Sequence, residues 1–224
     1  MPTKQNPGGN RGEQLTGQVR EHEKDGLAAP QRQPLRERLE SHTLPYLSAL
    51  LGCSEDDAWG RTVTFQTFDD TPTKNPKRAR IIHGFLDDLG EDLERRNIEG
   101  DGIFIAVNQT DLKGREKKNI NALRAAWADI DDKAAADPFS MAVLPLSPSL
   151  AVRSGHGTHL YWIFPDPIPC DAERQAEHEA LLRGIVSVLK PYGADGQVCQ
   201  CAAVLRLPGF YNMKQEPVLV EVIR

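Results

Sequence analysis

No stretch of this 224-residue chain approaches the roughly 18 apolar residues that a membrane-spanning helix needs. The N-terminus, MPTKQNPGGNRGEQ, also lacks the apolar core of a secretory signal, so a cytoplasmic protein without a membrane partner is expected. Cysteine is sparse. Cys53, Cys170, Cys199 and Cys201 do not form the paired CxxC spacing of a zinc site and read as ordinary reduced thiols. An excess of positive charge is missing as well: the formal net charge of −5 excludes a protein that coats nucleic acid over its whole surface. The basic residues that exist are unevenly spread. Lys74, Lys77, Arg78 and Arg80 form one cluster, and Lys113, Arg115, Lys117 and Lys118 form another. Each cluster is either a solvated face or a phosphate-contacting loop, depending on what lies beside it.

What is present suits one catalytic-sized domain with an arm. The hydrophobic share of 39% and charged share of 26% are ordinary globular usage, and the length suffices for a core without disulfides. Residues 1–33 are rich in Gly, Pro, Gln, Asn and charge with no apolar period, which predicts a disordered N-terminal arm before a domain over residues 34–224. Leu39, Leu44, Leu47, Leu50 and Leu51 predict a helix that Pro45 breaks or kinks. A strand is expected at RTVTFQTF (61–68), followed by a turn-rich loop, DDTPTKNP. Residues 77–98 read as one helix broken near Gly84, or as two short helices. GIFIAVNQ (102–109) and ALRAAWADID (122–131) read as strands, and SLAVRSG (149–155) with GTHLYWIF (157–164) as a hairpin. A helix capped by Asp171 fills residues 171–190, and strands at AAVLRLP and PVLVEVI (217–223) end the chain. The fold class is therefore α+β with an antiparallel or mixed sheet.

Three clusters fall at strand ends. In WADIDD (127–132), strand alternation puts Asp129 and Asp131 on one face, where two like charges raise each other's pKa unless a cation lies between them. Such oxygen ligands suit Mg²⁺ or Mn²⁺, which also bind substrate phosphates. The bland reading is a strand running into a solvated acidic turn. In SGHGTHLYW (154–162), Gly155 and Gly157 permit close approach of a ligand, and His159 sits inside an apolar strand as a phosphate donor, a metal ligand or a satisfied core histidine. His156 and His159 fall on opposite faces if both lie on the strand. In DGQVCQCAAVLRLPGFYNMK (195–214), Asp195 occupies a polar loop and Arg206 an apolar strand, where a buried guanidinium needs a carboxylate or a phosphate. Lys214 follows the PGF turn and reads as surface, with phosphate contact as the functional alternative. Acids for divalent ions, with basic groups for a triphosphate, describe nucleotidyl transfer.

The order and wording of these motifs resemble the RepB-like primase domains of plasmid, phage and mobile-element replication proteins, a branch of the archaeo-eukaryotic primase superfamily. The resemblance spans roughly residues 60–224 through TFQTFDD, GIFIAVNQTDLKGREKKN, RAAWADIDD, SGHGTHLYW and VLRLPGFYNMK. It implies an RRM-like antiparallel palm sheet backed by helices, with an α/β unit from the N-terminal half packed against it and the site in the cleft between. It implies Asp129, Asp131 and Asp195 as metal ligands for two Mg²⁺ or Mn²⁺ ions, and His159 and Arg206 as nucleotide contacts. Asn108 and Lys214 are weaker candidates for nucleotide contact. Lys74, Lys77, Arg78, Arg115, Lys117 and Lys118 would receive DNA template. The implied partners are single-stranded DNA, NTP or dNTP, and a replicative helicase acting in trans. The chain departs from the pattern where the small residue before histidine is Gly157 instead of the common Ser, and where Gln200 replaces an acid found in many relatives. Two other readings stay open: a replication-initiator nickase using Tyr161 or Tyr211 as nucleophile, and a non-catalytic nucleic-acid-binding module.

Overall fold

The computed structural model describes residues 32–131 and 146–223; the predicted arm over 1–33 lies almost wholly outside them. The leucine-rich segment forms α1 (Leu35–Arg38), a π-helical turn (Leu39–Thr43) and α2 (Leu44–Leu51) without a break. Pro45 sits in the first turn of α2, where its missing N–H costs nothing once the widened turn has reset the hydrogen-bonding pattern. Gly52, at φ 64°, ends the helix in the left-handed conformation. Ser54 then caps the short α3 (Glu55–Ala58) by accepting from the Asp57 N–H at 3.1 Å.

Val63–Asp69 is β1, as its β-branched and aromatic residues predict. The expected helical start at residue 77 is not found. Pro76–Arg78 forms one 3₁₀ turn, Arg80–Gly84 forms β2, and α4 runs only over Leu86–Ile98. Ile81 and Ile82 favour the extended form, and β2 pairs antiparallel with β1 in register Val63↔Gly84 to Thr67↔Arg80. The remaining strands are β3 (Asp101–Ala106), β4 (Gln109–Thr110), β5 (Ile120–Asp131), β6 (Leu150–Arg153), β7 (Gly157–Pro169), β8 (Val204–Arg206), β9 (Tyr211–Asn212), β10 (Val218–Leu219) and β11 (Glu221–Val222). Between β7 and β8 lies α5 (Ala172–Leu189), with Asp171 accepting from the Arg174 N–H as its N-cap. The single strand expected at 217–223 is split at Val220, and its halves join different partners.

Two antiparallel sheets result, ordered β2-β1-β3-β8 and β11-β6-β7-β5-β4, with β9 and β10 as a separate ribbon. The larger sheet is covered on both faces. Tyr161 meets Tyr46 of α2 edge-on at 5.5 Å, whereas its neighbour Trp162 lines a groove with Leu181 and Ile185 of α5. Alternate residues of β7 thus face alternate helices, and α5 lies behind the sheet. This is the α+β arrangement expected: an antiparallel palm, helices behind it, and an α/β unit of β1, β2, α4 and β3. The sequence reading missed that β8, from the C-terminal part of the chain, completes the N-terminal sheet by pairing with β3 in register Phe104↔Arg206.

Candidate nucleotide and metal site

Asp129 and His159 stand directly opposite each other in the β5–β7 ladder, followed by Asp131 opposite Gly157. Residues opposite each other in an antiparallel pair point to the same side, so the two acids and the histidine converge. They line a cavity of about 170 Å³ whose other wall is β3 and β8, contributing Phe104 and Arg206. Ser154, His156, Asn212 and Lys214 complete the mouth. His156 thus shares the cavity with His159, contrary to the opposite-face expectation. The ladder begins only at Gly157, so strand alternation does not govern His156.

His159 is 3% exposed, and its Nε2 lies 3.6 Å from Asp129 Oδ1. Burial lowers its pKa, Asp129 opposes this, and the positive charges of Arg206 and Lys214 add to the lowering. The imidazole is therefore neutral at physiological pH. Its Nδ1 is buried with no partner among the described residues, which leaves one ring nitrogen for a ligand.

The guanidinium of Arg206 answers the question its burial raised. It pairs with Asp70 through two bonds, Nη1 to Oδ2 at 2.7 Å and Nη2 to Oδ1 at 3.1 Å, and lies over the Phe104 ring at 4.7 Å. Asp70, just past β1, was not singled out from the sequence. Its signal was the second acid of TFDD at the end of a strand. Asn212 was missed as well: its Nδ2 donates to the Ser154 carbonyl at 2.8 Å and its Oδ1 accepts from the Lys214 N–H at 3.2 Å. It ties the lysine-bearing turn to the β6–β7 hairpin.

Other predicted residues are placed elsewhere. The carboxylate of Asp195 accepts from the Gln197 N–H at 2.9 Å and does not line the cavity, although the Asp195 N–H donates to the Asp129 carbonyl at 2.8 Å. Asn108 is 1% exposed, donates to the Cys201 carbonyl and accepts from the Arg124 N–H, so both ends of its amide are spent on backbone away from the cavity. Among the DNA-contact candidates, Arg78 pairs with Asp101 at 2.7 Å, Lys117 with Glu179 at 2.7 Å and Lys118 with Glu116 at 2.8 Å. Lys74 donates to the Asp70 carbonyl, and Arg115 donates to Gln66 and to the Ala202 carbonyl. Lys77 is exposed. Tyr161 is fully buried with its hydroxyl pKa pushed well up, chiefly by burial, and Tyr211 lies beneath the Arg38 guanidinium at 5.1 Å. Burial withdraws the Tyr161 hydroxyl from a nucleophile's role, whereas Tyr211 is only half-buried.

Among the described residues no group of three His, Cys, Asp or Glu side chains is close enough to hold a metal ion. Asp129 and Asp131 nevertheless fit Mg²⁺ or Mn²⁺. Both are hard oxygen donors on one cavity wall, and these ions commonly bind one or two carboxylates and fill the remaining positions with water and substrate phosphate.

No protein-family model matches the chain. A "Replication protein" of Clostridium perfringens is 25% identical over 138 residues, which is 57% of this chain and 33% of that protein, so the chain spans about a third of its length. Among solved structures, the AEP domain of the cyanophage S-2L primase-polymerase superposes with a TM-score of 0.61 at 20% identity, covering 84% of this chain and 89% of that one. Primase RepB' gives 0.53 at 16% identity, covering 81% of this chain and 56% of that one. The catalytic domain of RepB' in complex with initiator DNA gives 0.52 at 16% identity, covering 82% and 85%. The chain has the fold of the archaeo-eukaryotic primase domain.

Proposed function

We propose that this protein is a primase or primase-polymerase that joins nucleotides on a single-stranded DNA template. The observation that carries the reading is the convergence of Asp129, Asp131, His159, Arg206 and Lys214 on one cavity between the two sheets. Carboxylates on one wall and cations on the other suit a substrate that is itself a polyanion carrying a metal. In the reaction, a 3′-hydroxyl oxygen bonds to the α-phosphorus and loses its proton to water as the bridging oxygen leaves with pyrophosphate.

Asp129 and Asp131 would hold Mg²⁺ or Mn²⁺, which when bound supplies neutralisation of the phosphate oxygens and lowers the pKa of a coordinated hydroxyl. Asp195 would join them as a third ligand through lone pairs that the Gln197 N–H leaves unused. Neutral His159, in the tautomer that carries its proton on Nδ1, would donate one hydrogen bond to a phosphate oxygen. Arg206, fixed by Asp70, and Lys214 on its turn would position the triphosphate. The likeness to a RepB' domain solved with initiator DNA supports DNA as the template, and Lys74, Lys77, Lys117 and Lys118 are the exposed members of the predicted contacts. A helicase in trans remains a proposed partner.

The test is primer synthesis on single-stranded DNA with labelled NTPs or dNTPs and Mn²⁺ or Mg²⁺. Asp129→Ala should reduce incorporation at least ~100-fold, the scale of losing an electrostatic group at the reacting centre, while leaving the melting temperature within a few degrees. Unchanged synthesis by that variant would sink the assignment.

A further inference from the structure

Arg206 and the carboxylates Asp129 and Asp131 line the same small cavity, yet the guanidinium is engaged by a different acid. Asp70 is 3% exposed and holds Arg206 in a two-bond grip. Its Oδ2 also accepts from the Met213 N–H at 3.3 Å, one residue before Lys214. The Asp70 backbone is pinned in turn, its N–H donating to the Gly100 carbonyl at 3.0 Å. Gly102 packs flat against the pair: a Cβ there would lie 2.5 Å from Asp70 Oδ2, 2.8 Å from Arg206 Nη1 and 2.8 Å from the Phe104 ring. The pair is therefore built to stay closed, with no room for a side chain at position 102 beside it.

A guanidinium without a fixed counter-ion in this cavity would have two other carboxylates to turn to, Asp129 and Asp131. It would then occupy the oxygen atoms a divalent cation needs. We propose that Asp70 is a positioning residue that holds Arg206 away from Asp129 and Asp131, keeping those carboxylates available to a divalent cation. Two of the five guanidinium N–H groups are spent on Asp70, and the other three have no partner among the described residues, so Arg206 keeps donors for a phosphate while paired. The inference rests on the metal-site reading of the proposed function and adds to it an acid that touches neither metal nor substrate.

The experiment measures Mn²⁺ binding to the full chain by the electron paramagnetic resonance signal of free Mn²⁺, with no nucleotide present. Asp70→Asn should weaken Mn²⁺ about five-fold or more in the otherwise native protein, and should change it less than about two-fold in an Arg206→Gln background, where the competing cation is gone. A merely structural role would lower affinity alike in both backgrounds, and that result overturns the proposal. So does unchanged affinity in Asp70→Asn. Should Asp70→Asn fail to fold, Gly102→Ala, which wedges the pair without removing a charge, is read in the same two backgrounds with the same expectation. If the native chain binds no Mn²⁺, the metal site of the proposed function falls and this inference falls with it; binding by the native chain without a background-dependent effect leaves that site standing and removes only the role of Asp70.

Discussion

His159 illustrates how a residue legible in the sequence acquires its chemical state only from its surroundings. Its type and its apolar neighbours mark it as a candidate, but burial, reinforced by Arg206 and Lys214 against the opposing charge of Asp129, makes it neutral. His178 of α5 is a second buried histidine with a lowered pKa, its Nε2 2.8 Å from the Ala125 carbonyl. In both, the folded state resists a proton that the unfolded chain accepts near the ordinary histidine pKa of about 6.5. Stability is therefore fully present above that value and declines as pH falls below it toward the depressed folded pKa. The melting temperature should drop between about pH 7.5 and pH 5.5, and drop less in His178→Gln, which removes one of the contributing groups. Equal slopes in the two proteins would assign the effect elsewhere. Arg206 teaches the complementary lesson: the sequence demanded an anion for it, and only the structure chose Asp70.

Strands β5 and β7 are the element that assembles the site, because their register fixes Asp129 against His159 and Asp131 against Gly157. Gly157 departs from the serine common in RepB-like primases, and the ladder explains why this chain keeps glycine. A Cβ at position 157 would run into the Ile130 carbonyl oxygen and come within 3.3 Å of the Asp131 Cα, both backbone atoms that cannot rotate away. Gly157→Ala should cost about 1–3 kcal/mol in denaturant unfolding, the range for overpacking a close contact, and should lower nucleotide incorporation by displacing Asp131. Full stability in that variant would mean that the strands separate there more easily than their pairing indicates. The helix expected from residue 77 failed at this same scale. Ile81 and Ile82 have a short apolar pattern compatible with either period, and the neighbouring β1 decided it by offering a hydrogen-bonded edge.

At the scale of the whole molecule, two sheets built from interleaved parts of the chain face each other across one cavity. β8 crosses from the C-terminal half to the N-terminal sheet, which puts Arg206 on the wall opposite Asp129. The basic clusters that the sequence offered as DNA contacts are partly neutralised. Of six candidates, Arg78, Lys117 and Lys118 are ion-paired, leaving Lys74, Lys77 and Arg115 without a carboxylate partner among the described residues. With a net charge of −5, single-stranded DNA binding should be weakly salt-dependent. A log–log slope of about −2 is expected, from roughly three phosphate contacts at about −0.7 each, measured by fluorescence anisotropy over a salt series. A slope of about −4, from all six contacts at about −0.7 each, would show that the paired Arg78, Lys117 and Lys118 also engage the backbone.

The sequence by itself determined the α+β class, the strands that carry the acids and histidine, the hairpin, the capped helix read over 171–190 and the shared face of Asp129 and Asp131. These follow from local alternation, capping chemistry and turn residues, which act over a few positions. Only the tertiary structure decided that Asp70 holds Arg206 across 136 residues of chain, that His156 enters the cavity, that Asn108 is spent on backbone and that the Asp195 carboxylate is turned to Gln197. Each of these depends on which distant segment fills the space beside a side chain, and no local period records that.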